Sequence, residues 1–211
     1  MLTLLSQALL GIALLMVLGA SVELRTAWRF SRLRRGRVGD PGRIEIEGVV
    51  EADGALLEAP LTKQACVLFS LVLSRQRKDF SGRSALLFVE QRPFVVVSDS
   101  QRLAVDPKRV IVTGLDATDT VLQFLPQGVL GLLVARFGHM AQVWAEDYVL
   151  RGRESCLPTG ARVFALLQDG ELLTLSTKPL RDIARGARGR ALRALGAAAP
   201  LVLVGLWLRS W

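Results

Sequence analysis

The stretch that most constrains this chain is Met1–Val22, which carries no charged side chain and is followed at once by Arg25, Arg29, Arg32, Arg34, Arg35 and Arg37. As a helix it spans about 33 Å at ~1.5 Å per residue, enough to cross a hydrocarbon core of about 30 Å. A cleaved signal peptide is the competing reading, because Leu18-Gly19-Ala20 could serve as a cleavage site. A signal peptide, however, carries its positive charge before the apolar region. Here none precedes it and a block of Arg follows. The sequence therefore favours an uncleaved transmembrane helix over 1–24 and a basic juxtamembrane linker over 25–43.

A second apolar run, Ala194–Leu208, is preceded by Arg181, Arg185, Arg188, Arg190 and Arg193. At ~1.5 Å per residue it reaches only about 23 Å, short for a span, and Pro200 interrupts it. Ala191 and Leu192 extend the run if Arg193 snorkels to the interface. Trp207 and Trp211 mark a far boundary, and local thinning of the bilayer costs only fractions of a kcal/mol per Å. Gly196, Ala197, Ala198, Ala199 and Gly205 would admit close approach to the first helix. The expectation is a second transmembrane helix over 194–211 behind a basic segment over 181–193. An interfacial or re-entrant segment is the alternative.

The net charge of +8 suggests nucleic acid until it is located. Residues 1–43 hold seven Arg against Glu23 and Asp40, a net +5, and residues 181–211 hold six Arg against Asp182, again +5. Residues 44–180 carry 14 Lys and Arg against 16 Asp and Glu, a net −2. All the positive excess lies beside the apolar ends, a pattern that fits anionic headgroups, at roughly 1 kcal/mol per juxtamembrane base. It supplies no basic groove for nucleic acid. Arginine collects on the cytoplasmic side of a span. The expectation is a multi-pass protein of the cell membrane, its central domain cytoplasmic and both termini outside. The two Arg collars, with Trp28, Trp207 and Trp211, would then lie at headgroup level.

The middle of the chain reads as short strands. Arg43–Ala52 alternates after the Gly39-Asp40-Pro41-Gly42 turn, and Gln64–Arg77 is the longest β-rich stretch. Its Val67, Phe69, Leu71 and Leu73 form the more apolar face and should meet the core. Lys78–Ser84 suits a hairpin loop. Ala85–Gln91, Phe94–Ser98, Arg102–Val105 and Arg109–Val112 follow, then a helix within Leu130–His139. Gln142–Leu150, Ala161–Gln168 and Glu171–Ser176 close the series, the last two joined by an Asp169-Gly170 hairpin turn. Short strands at regular spacing predict a mainly β domain, a barrel or sandwich with one short helix, between the two transmembrane helices.

Several of these pieces, in order, resemble the GIDE domain, which lies between the two membrane helices of mitochondrial-anchored ubiquitin ligases. The matching blocks are Glu47-Gly48-Val49-Val50, Leu57-Glu58-Ala59-Pro60-Leu61-Thr62 and Cys66-Val67-Leu68-Phe69. Pro93-Phe94-Val95-Val96-Val97-Ser98-Asp99 follows, then Val105-Asp106-Pro107. The last are Glu146-Asp147-Tyr148-Val149-Leu150-Arg151-Gly152 and Ala161-Arg162-Val163-Phe164-Ala165. The resemblance covers roughly 44–180 and implies a β-rich domain beside a membrane, anchored by helices at both ends. It carries no catalytic residue across. Ligase activity in the eukaryotic relatives belongs to a zinc-binding RING, and two Cys with one His cannot supply its ligands. Those relatives also place the domain on the non-cytosolic side, whereas the Arg collars here argue for the cytoplasm.

Catalytic chemistry finds little support. His139 is the only histidine available to a Ser-His-Asp mechanism, and it follows an apolar helical pattern. Glu146-Asp147 and Asp116 with Asp119 read as solvated carboxylates, Tyr148 as a packed strand aromatic, and Cys66 and Cys156 as ordinary buried thiols, with a disulfide as the alternative. Phosphate-loop and dinucleotide-binding motifs are missing. The expectation is a non-catalytic, membrane-anchored interaction module without cofactor or metal, with an unidentified protein partner and room for a homo-oligomer. A membrane-stress or lipid-sensing module is the second reading. A membrane-surface hydrolase is the third.

Overall fold

The computed structural model describes residues 2–31, 33–37, 40–77, 83–99, 101–122, 124–138 and 148–209. The elements in chain order are α1 (Leu2–Ser31), β1 (Arg34–Arg35), β2 (Arg43–Ala52), β3 (Leu57–Glu58), β4 (Ala65–Arg77), β5 (Arg83–Gln91), β6 (Phe94–Ser98) and β7 (Gln101–Val105). Then come β8 (Ile111–Thr113), β9 (Ala117–Leu122), α2 (Gln127–Phe137), β10 (Tyr148–Pro158), β11 (Arg162–Gln168), β12 (Glu171–Ser176) and α3 (Leu180–Arg209). They fall into two compact units: 1–35 with 178–211, and 36–177.

In the first unit α1 and α3 pack along each other. Both are long enough and apolar enough to cross a membrane. Each continues as helix into its arginines: α3 begins before Arg181, so all of the basic segment 181–193 is helical, while α1 runs past Arg25 and Arg29 and ends at Ser31, early in the linker expected over 25–43. Pro200 sits inside α3.

The second unit is built from two open sheets. One has the order β7-β6-β2-β11-β12-β8, antiparallel except for the β12/β8 pair. The other runs β9-β10-β4, with β3 and β5 sharing the far flank of β4. Among the described residues the expected barrel is therefore not formed. Closure requires the two edge strands of a sheet to pair with each other, and the first sheet instead ends on β7 and the three-residue β8 at opposite sides of its order. The predicted strands at Arg43–Ala52, Phe94–Ser98 and Glu171–Ser176 are present with those bounds. The Asp169-Gly170 turn forms with positive φ at both residues, as a two-residue hairpin requires. Of the loop expected at 78–84, residues 78–82 lie outside the described residues and Arg83 and Ser84 belong to β5; much of the strand expected at 142–150 also lies outside them.

Two apolar clusters hold this unit together. The first joins Ile44, Ile46, Val50, Phe94, Val96, Val163, Leu167 and Leu175 of one sheet to Val67, Leu68 and Leu157 of the other. The second lies on the opposite face of β4, where Phe69, Leu71 and Leu73 meet Phe88 and the α2 residues Val129 and Leu133. The sequence placed Val67 with Phe69, Leu71 and Leu73, but it joins the other cluster. An irregularity opposite Leu157 and Pro158 sets Cys66 against Pro158 and Leu68 against Leu157, which breaks the strict alternation at Val67.

Candidate functional site

Two constructions carry the chemistry of this chain: the helical hairpin, and a loop pinned to β10 by a buried carboxylate.

In the hairpin, Ser6, Ala13, Ala20 and Ala27 of α1 are buried and recur every seven residues, as do Ala184, Ala191, Ala198 and Gly205 of α3. The Ser6 hydroxyl donates to the Gly205 carbonyl at 2.8 Å, which fixes an antiparallel register. Seven-residue steps from that bond bring Ala13 level with Ala198, Ala20 with Ala191 and Ala27 with Ala184. A Cβ on Gly205 would meet Leu10 Cγ at 3.0 Å, so only a hydrogen fits there without displacement. The large side chains point the other way: Leu4, Leu15, Leu18, Leu203 and Leu206 are all exposed. A hairpin in water buries its leucines and exposes polar residues. This one buries a stripe of small residues and leaves these leucines outside.

The same register pools the two Arg collars. Arg25 and Arg29 of α1 lie at the end of the hairpin that carries Arg181, Arg185, Arg188 and Arg190. Arg190 makes a two-point ion pair with Glu23 at 2.9 and 3.0 Å, and Arg181 donates to the Leu33 carbonyl at 3.2 Å. Arg193 Nε donates to the Gly189 carbonyl at 3.4 Å, so its side chain runs back toward the arginine-rich end of α3. Arg185 pairs with Asp182, and Arg188 is exposed. Arg34 and Arg35 are exposed on β1, while Arg37 belongs to the second unit. Trp28 is exposed on the collar end and Trp207 at the other. Arg32 and Trp211 lie outside the described residues.

The second construction was not foreseen. Glu154 on β10 is 1% exposed. Its Oε2 accepts the Leu61 N–H at 2.7 Å, and its Oε1 accepts the Thr62 N–H at 3.0 Å and the Thr62 hydroxyl at 2.6 Å. The Ala59–Gln64 loop is thus strapped across β10. The glycines on either side admit it: a Cβ on Gly152 would meet Leu61 Cδ1 at 2.6 Å, and one on Gly128 of α2 would meet Pro60 Cα at 3.0 Å. Sequence reasoning had one usable signal, a Glu inside an otherwise strand-like run with Gly152 two positions before it.

Beside the strap opens a cleft of about 300 Å³ lined by Gln64, Asp116, Thr118, Glu154, Cys156 and Arg162, among others. Several of its polar side chains are engaged: Cys156 Sγ donates to Gln64 Oε1 at 3.1 Å, and Arg162 pairs with Glu47 at 3.2 Å. Burial, with the Cys156 thiol and the Glu154 carboxylate adding to it, pushes the Cys66 thiol up to about 11. Burial and Glu154 raise Cys156 as well. Both thiols stay protonated at neutral pH, which withholds the thiolate that nucleophilic chemistry uses. Asp116 lines the cleft, whereas Asp119 is exposed on β9. His139, Glu146 and Asp147 lie outside the described residues, and Tyr148 opens β10. Among the described residues no group of three or more His, Cys, Asp or Glu is placed to hold a metal ion.

Comparison of the chain with protein-family models, curated proteins and solved structures finds no match.

Proposed function

We infer that this protein is a membrane-anchored, non-catalytic interaction module whose two helices cross the cell membrane and present the β-rich unit at its cytoplasmic surface. The observation that carries the reading is the burial of small side chains in the hairpin. Lipid tails are as apolar as leucine, so helices in a membrane associate through small residues and close backbones while their large side chains face lipid. Ser6, Ala13, Ala20 and Ala27 against Ala184, Ala191, Ala198 and Gly205 fit that rule. Trp28 and Trp207 support it further. In the antiparallel register they lie about 36 Å apart along the axis at ~1.5 Å per residue, close to the spacing of the two interfaces of a bilayer. The pooled arginines favour anionic headgroups and the cytoplasmic side.

The GIDE-like character of residues 44–180 stays a proposal resting on the order of its sequence blocks, and no ligase chemistry is attached to it. The partner would be a protein captured by the β-rich unit. Lipid sensing is the second reading, favoured by the concentration of both collars at one end of the hairpin. Reporter fusions after residues 40, 120 and 211 test the placement. The first two should report the cytoplasm and the third the outside, and a third reporter on the same side as the others would remove the two-span topology. Crosslinking in native membranes through residues 44–177 should recover one recurrent protein. Recovery of the chain alone would remove the interaction reading.

A further inference from the structure

We propose that α2, together with Phe124 before it, is a third membrane contact: a helix lying in the headgroup layer with its outward face in lipid. The inference rests on the anchoring reading above and adds a site to the β-rich unit. No residue from Phe124 to Ala135 carries a charge. One side of α2 is used inside the unit, where Val129 and Leu133 are fully buried against β4 and β5. The exposed positions are mostly apolar too: Phe124, three residues before the helix, is 86% exposed, more than any other described large apolar side chain, Val134 on the helix is 49% exposed, and Gly131 and Ala135 join it, with Gln127 the one exposed polar side chain before Arg136. A surface helix in water normally turns charges outward. The one charge at its end, Arg136, is turned back onto the unit, with Nη1 donating to the Leu87 carbonyl at 3.3 Å and the guanidinium over the Phe88 ring.

Size and tether decide what covers this face. The helix is about 16 Å long at ~1.5 Å per residue, about half the thickness of a hydrocarbon core, so it can lie in an interface but not cross it. A strip of that length and about 10 Å width offers roughly 160 Å², far below the ~800 Å² per partner of a stable protein interface. A second copy or a protein partner is therefore poorly served by it. Lipid needs no such area, because the unit is already tethered. Only Thr177, Lys178 and Pro179 separate the end of β12 from the start of α3, a reach of about 11 Å.

The test uses the full chain reconstituted into phosphatidylcholine vesicles containing phosphatidylserine, with benzoylphenylalanine placed singly at Phe124, Val134, Leu14 or Asp53. Leu14 is exposed on α1 and reports the anchor; Asp53 lies in an exposed turn and reports water. The expected result is lipid adduct at Leu14 and, at Phe124 and Val134, about tenfold more lipid adduct than at Asp53. Lipid adduct at Leu14 but no excess at Phe124 and Val134 overturns this inference and leaves the anchor standing. Capture of peptide at Phe124 or Val134, from the same chain or a second copy, also overturns it. No lipid adduct at Leu14 removes the anchoring reading and this inference with it. Because both side chains face outward, these substitutions leave the core of the unit intact.

Discussion

Replacing Glu154 with alanine removes the single acceptor group on which the Ala59–Gln64 strap hangs. The carboxylate receives two backbone N–H groups and one hydroxyl. The Thr62 hydroxyl can rotate to another acceptor, so the cost is set by the Leu61 and Thr62 amides. A buried donor left without a partner costs about 1–3 kcal/mol; Leu61 is half-buried and Thr62 exposed, so water replaces part of the loss and the pair together costs about 1.5–3 kcal/mol. At ~1.4 kcal/mol per factor of ten, that is a rise of roughly 10–10² in the population of the open strap. Hydrogen exchange of the full chain in micelles reads it directly. The Leu61 and Thr62 amides should exchange faster by about that factor, while the Val50 amide, bonded to the Ala161 carbonyl, keeps its protection. Glu154→Gln keeps one acceptor oxygen and turns an NH2 toward a donor, so it should fall about midway. It also serves if Glu154→Ala does not fold. Unchanged exchange at Leu61 and Thr62 in an intact fold would refute the argument that this carboxylate holds the strap.

Three further outcomes are expected. Gly205→Val drives a branched side chain into Leu10 and should cost about 1–3 kcal/mol of helix pairing, read as a longer distance between spin labels on α1 and α3; an unchanged distance would sink the close-packing account. Ser6→Ala removes the hydroxyl that bonds the Gly205 carbonyl and should cost about 0.6 kcal/mol and at most about 1.7, in the range measured for hydrogen bonds between membrane helices. The Cys66 thiol is held to about 11, above its unfolded value of about 8.5, so the folded state binds its proton more tightly. Its contribution to stability is fully present below about pH 8.5 and is lost as the pH rises toward 11. Alkylation of Cys66 in the folded protein should still be climbing about tenfold per pH unit at pH 9–10, and a rate that levels off near pH 8.5 would contradict the burial argument.

Local pattern carried much of the β-rich unit. β2, β6 and the β11/β12 hairpin were legible because alternation along a strand and a two-residue Asp169-Gly170 turn are properties of neighbouring residues. β9 was missed because Ala117–Val121 is exposed throughout, so no buried face imprints an apolar period on it. The far half of β10 was missed because Gly152, Glu154 and Pro158 are residues that usually mark loops. Gly152 and Glu154 are there for the strap, whose Leu61 needs the space and whose amides need the acceptor.

By itself the amino-acid sequence determined that both ends of this chain are apolar helices bordered by arginine and that the part between them is β-rich. Charge, hydropathy and period are summed over neighbours along the chain. Tertiary structure alone decided that the sheets stay open, that Val67 leaves the face of Phe69, and that Glu154 is a buried acceptor. It also decided that the two seven-residue series of small side chains meet in one register, with Ser6 on Gly205. Each of these depends on which distant segment lies alongside, and that is set by long-range pairing and the space a side chain finds there.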